Sequence, residues 1–90
     1  MRPVSDLTRN LSANLQAIFK TGTYSYGALI RISGLTDAEV NNILELKSGP
    51  TLEVVEIIAL TLDCEAGMLL GDDIRHVLRA VCGKGDLAVH

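Results

Sequence analysis

YSYGALIRISGLTDAEVNNILELK, residues 24–47, holds two helix starts and one helix stop in close succession. Ser25 is an N-cap residue, and Tyr24 and Leu29 stand where a hydrophobic staple closes over such a cap. Gly34 ends the helix that Ser25 begins, because glycine takes the left-handed terminal conformation without a Cβ penalty. Just beyond it, Thr36-x-x-Glu39 forms a capping box, with Leu35 and Val40 as a second staple. The spacing predicts a short helix from Ser25 to Gly34 and another from Asp37 to about Glu45. At about 100° per residue, Val40, Ile43, Leu44 and Lys47 share the inward side of the second helix. Ala38, Asn41, Asn42 and Glu45 fall outward, a small and amide-bearing face.

Helix, tight turn and firmly started second helix are the layout of a helix-turn-helix, a motif that commonly places its second helix in the DNA major groove. The rest of the chain is compatible with it. Ninety residues make one domain, and 48% apolar with 3% aromatic content means a core of Leu, Ile, Val and Ala. The first helix runs from Ser5 or Asp6 to Lys20, with Leu7, Leu11, Leu15, Ile18 and Phe19 on one stripe. After Ser48-Gly49-Pro50, Thr51 caps a helix from Leu52 to about Leu62 that is apolar nearly all round, which predicts a buried central helix. A short helix over 65–70 follows, and then a C-terminal one whose stripe is Ile74, Val77, Leu78 and Val81. Asp72-Asp73 read as its cap and first-turn charge. The expected organisation is a domain over 1–71, a C-terminal helix over 72–83 as a candidate dimerisation element, and a short flexible tail over 84–90.

Charge and composition exclude several classes. The net charge is −3, but residues 1–50 carry five Arg/Lys against four acids, and residues 51–90 three against seven. The acid is concentrated away from the helix pair, which permits DNA binding without supplying a basic footprint. No apolar run reaches the roughly 18–20 residues of a membrane span, and the first residues lack the apolar core of a secretory signal. Cys64 and Cys82 are two lone thiols without metal-ligand spacing, so the expectation is a cytoplasmic protein with no metal and no cofactor. His76 and His90 stand alone as well, and nothing forms a catalytic constellation, so no enzymatic activity is expected.

From about Leu7 to Leu70 the chain resembles the phage lambda repressor/Cro-type helix-turn-helix family. The matching features are the apolar first helix, Ala28-Leu29, Gly34 in the turn, the cap Thr36, and Val40 and Ile43 inward. Lys47-x-x-Pro50-Thr51-Leu52, the run IIALTLDC over 57–64 and the closing Met68-Leu69-Leu70 complete the order. Four positions depart from the pattern: Ile30 replaces a customary small residue, and Leu44 and Leu46 replace the common Glu and Gly. Asp37 stands where Gln, Arg, Ser or Thr is more usual. The resemblance implies an all-α, five- to six-helix lambda-repressor-like domain and a dimeric transcriptional regulator of phage or prophage type on a double-stranded operator.

On that basis Thr36, Asp37, Ala38, Asn41 and Asn42 are the candidate base-contacting residues. Ser25, Tyr26, Arg9, Lys20, Arg31 and Lys47 are the candidate phosphate contacts. Ile74, Val77, Leu78 and Val81 either fold back onto the chain's own core or form a homodimer contact, the second being the slightly favoured expectation. A competing expectation is a protein-interaction module, antirepressor or antitoxin-like, supported by the negative charge, Asp37, and the apolar surplus at Leu44, Leu46 and 74–81.

Overall fold

The computed structural model describes residues 6–47 and 49–82. They form six helices with no strand among the described residues: α1 (Asp6–Thr21), α2 (Tyr26–Ser33), α3 (Asp37–Leu44), α4 (Leu52–Leu62), α5 (Ala66–Leu69) and α6 (Ile74–Val81). The chain is all-α. The expected Ser5 cap and the 84–90 tail lie outside the described residues.

The helix starts are set by local chemistry. Ser25, Thr36, Thr51 and Asp73 each accept a backbone N–H from the residue three places on, at 3.0–3.2 Å. At Thr36 the capping box is complete, since the Glu39 carboxylate accepts the Thr36 N–H at 3.0 Å. Such caps satisfy donors that the first turn leaves orphaned, each by about 1 kcal/mol. Gly34 closes α2 with φ +78° and donates its N–H to the Ile30 carbonyl at 3.0 Å.

Packing then assembles the helices around α1, which lies against α3, α5 and α6, while α4 lies against α2 and α5. Leu11, Leu15 and Ile18 of α1 meet Leu29, Val40, Ile43, Ile58, Leu62 and Leu69 in one core. Both residues of the second staple, Leu35 and Val40, are buried in it. Leu7, expected on the buried stripe of α1, is exposed.

Polar groups on α1 are buried as well. Asn14 donates from Nδ2 to the Leu69 and Gly71 carbonyls at 2.7 and 3.0 Å, and Asn10 donates to the Leu70 carbonyl at 3.0 Å. These bonds tie the end of α5 to α1. Ser12 Oγ donates to the Leu44 carbonyl at 3.2 Å and fastens the end of α3 to the same helix.

Two expectations are corrected. The fourth helix is not buried all round: Val55, Ile58, Ala59 and Leu62 are buried, but Leu52 and Leu60 face solvent. Its neighbours α2 and α5 leave one side open. The C-terminal stripe is not free for a partner either, because Val77 and Val81 are 1% and 4% exposed within the single chain. They pack in the core through α1, which leaves Leu78 half-buried and Ile74 exposed.

The end of α3 carries strain. Lys47 N–H bonds the Asn42 carbonyl at 2.9 Å and Leu46 N–H bonds the Ile43 carbonyl at 3.1 Å, the pairing of a Schellman motif. Its left-handed position, φ +58°, is held by Leu46 where glycine is favoured. Leu46→Gly is therefore expected to raise the unfolding free energy by about 0.5–1 kcal/mol. Leu46→Ala, which keeps the Cβ, is expected to bring no gain when both variants are titrated with urea.

Candidate nucleic-acid interface

The face expected to act is built by α2, the turn at 34–36, and α3. Val40 and Ile43 anchor α3 inward, and Asp37, Ala38, Asn41 and Glu45 are exposed around its outer side. Thr36 is exposed, with its hydroxyl engaged in the cap. Asn42 departs from the expected outward set. It is half-buried and lines a cleft of about 150 Å³ with Glu39, Ile43, Gly49, Pro50, Thr51 and Val54.

The start of α2 meets the start of α3 through Tyr26. Its ring stands edge-on to Phe19, with centroids 6.2 Å apart and planes at 81°. The hydroxyl donates to the Asp37 carbonyl at 3.3 Å and reaches an Asp37 carboxylate oxygen at 3.5 Å. Loss of surrounding solvent, then the Asp37 charge and its hydrogen bond, hold the Tyr26 hydroxyl above the usual phenol pKa. The Asn41 amide acts in the opposite direction. Tyr26, Asp37 and Asn41 thus converge on one corner of the surface. The sequence gives no signal for this meeting, because a tyrosine opening one helix carries no information about which residue of the next helix it reaches.

The electrostatics of the corner are acidic. Asp37, Glu39 and Glu45 are exposed, and no Lys or Arg lies within α3. Lys47, expected on phosphate, sits 3.2 Å from the Glu45 carboxylate. That pair is exposed on both sides, so it binds weakly and can exchange for another anion. Ser25 is exposed at the N-terminus of α2, and its hydroxyl proton remains available beyond the cap bond. Arg9, Lys20 and Arg31 are exposed and make no ion pair with another described residue. No bond recorded among the described residues joins these three to the corner.

The remaining candidates are placed as follows. His76 is exposed in the first turn of α6. Cys64 and Cys82 are half-buried and not joined in a disulfide, and Cys82 Sγ lies 3.4 Å from Thr21 Oγ1. No cluster of His, Cys, Asp and Glu suited to a metal occurs among the described residues, and no helix there is long and apolar enough to cross a membrane.

The class these features define is an all-helical protein that presents a short, doubly fastened helix with an acidic, amide-bearing outer side. No family model, curated protein or solved structure matches the chain.

Proposed function

We propose that this chain is a sequence-specific DNA-binding transcriptional regulator of lambda-repressor-like, Cro type, which lays α3 in the major groove. The observation that supports it most is the presentation of α3. The helix is started by a complete capping box, anchored by Val40 and Ile43, and turns Ala38 and Asn41 to solvent. Asn41 would bond the adenine edge through its amide, and Ala38 would rest on a thymine methyl. Ser25 and the N-terminal amides of α2 would meet the phosphate backbone, joined by Arg9, Lys20, Arg31 and the exchangeable Lys47. A second copy on a paired half-site would meet Ile74, the part of the C-terminal stripe still open.

The experiment is a selection of duplex sites from a randomised pool, followed by affinities for the selected site. Asn41→Ala is expected to weaken binding by about 1–3 kcal/mol and to relax the base preference at one position. An equal small loss on every sequence would contradict base reading. A second reading, a helix pair used to hold a protein partner, is favoured by the exposed Asp37 and Glu39 on α3 and Glu45 at its C-terminal cap. It expects no selected site at all.

A further inference from the structure

We propose that Asp37 is a specificity determinant for cytosine, with the Tyr26 hydroxyl positioning its carboxylate over the groove. This rests on the DNA-reading function above. Asp37 is the first residue of α3, exposed, and makes no ion pair with a described residue. An ionised aspartate only accepts hydrogen bonds, and near the backbone it would repel phosphate. Its productive place is therefore over a base edge that donates.

The groove edges narrow the choice. Guanine presents acceptors N7 and O6, and thymine presents acceptor O4 beside its methyl group. Adenine sets the acceptor N7 next to its amino group, so a carboxylate meets repulsion beside the donor. Cytosine presents its N4 amino group with no acceptor of its own alongside. The Tyr26 contacts at 3.3 and 3.5 Å engage the Asp37 carbonyl and one carboxylate oxygen. The other oxygen is left for the base. The Tyr26 ring packs edge-on against Phe19, so its hydroxyl favours the Asp37 rotamers that keep the carboxylate within reach of it. Asn41, one turn on and at the same corner, then falls on a neighbouring base pair.

The test repeats the randomised duplex selection with the full chain as wild type, Asp37→Asn and Tyr26→Phe. Wild type is expected to enrich cytosine at one position of each half-site. Asp37→Asn is expected to move that position toward adenine, which an amide bonds in two places, and to lose about tenfold in affinity on the cytosine site. Tyr26→Phe is expected to flatten the cytosine preference at that position and leave the others unchanged. A spectroscopic signature accompanies this: the ultraviolet titration of the phenol should shift to lower pH in Asp37→Ala, because the charge that raises its pKa is removed. A wild-type selection that is strong elsewhere but unaltered by Asp37→Asn would overturn this inference and leave the DNA-reading function standing. Absence of enrichment at every position would overturn both.

Discussion

Ile58→Ala is expected to lower the unfolding free energy by about 2–5 kcal/mol, and Leu60→Ala on the same helix to change it by less than about 0.5 kcal/mol. The two side chains are similar in size and lie within one turn of α4, but Ile58 is 0% exposed and Leu60 81%. Truncating Ile58 removes its transfer free energy and leaves a cavity in the shared core that can only partly relax. Truncating Leu60 removes groups already in water. A domain of this length is stable by about 5–13 kcal/mol, so the first change removes a large fraction of the total and the second almost none. Urea titration of both variants reads the contrast directly. Equal losses would mean that Leu60 is covered, and that α4 is the fully enclosed helix its composition alone suggests.

Asn14→Ala is expected to cost about 2–3 kcal/mol, although it removes a polar side chain from the interior. The Nδ2 group holds two carbonyls, Leu69 O at 2.7 Å and Gly71 O at 3.0 Å, and its loss strands both. Asn14 Oδ1 has no hydrogen-bond partner among the described residues and costs something to bury, which keeps the net effect below that of two perfect bonds. Asn14→Leu is expected to fare no better than alanine, because added apolar volume does nothing for the carbonyls. Thermal melting distinguishes the alternatives: a loss of this size lowers the midpoint by roughly 10–20 °C in a domain of this length. A leucine variant as stable as the parent would show that Asn14 acts by volume rather than by hydrogen bonding.

The helix starts were legible in the sequence because their causes are local. Ser25, Thr36, Thr51 and Asp73 each act on a donor three residues away, and Gly34 acts on its own φ. The all-helical class followed from the same signals and from the period of the apolar residues. What was not legible depends on contacts distant in the chain. Asn14 is buried by partners 55 and 57 residues on, and nothing about an asparagine in an amphipathic helix announces that. An apolar stripe shows that a face is covered, not by what, so Val77 and Val81 fit a dimer seam as well as the internal packing they have. Leu52 and Leu60 belong to a helix apolar on several sides, and only the placement of α2 and α5 decides which side stays open. At the corner of α2 and α3, the residue types were readable but their convergence was not. Asp37 read alone is an unfavourable charge for DNA, while Asp37 beside the Tyr26 hydroxyl is, in the proposed reading, a directed acceptor.

Together these features give a coherent physical account of the proposed regulator. In the proposed reading DNA would not be approached through bulk charge, since the chain carries −3 overall and α3 is acidic. Affinity would then come from a few placed cations and helix-terminal amides, and selectivity from the proposed Asp37, Ala38 and Asn41 contacts. The measurement that tests this most directly is the affinity for selected duplex DNA as a function of salt. With Arg9, Lys20, Arg31 and Lys47 on phosphates, log affinity should fall linearly with log salt at a slope of roughly −3 to −4. A slope near zero, or no measurable affinity even at low salt, would contradict the account and leave the helix pair as a surface for a protein partner.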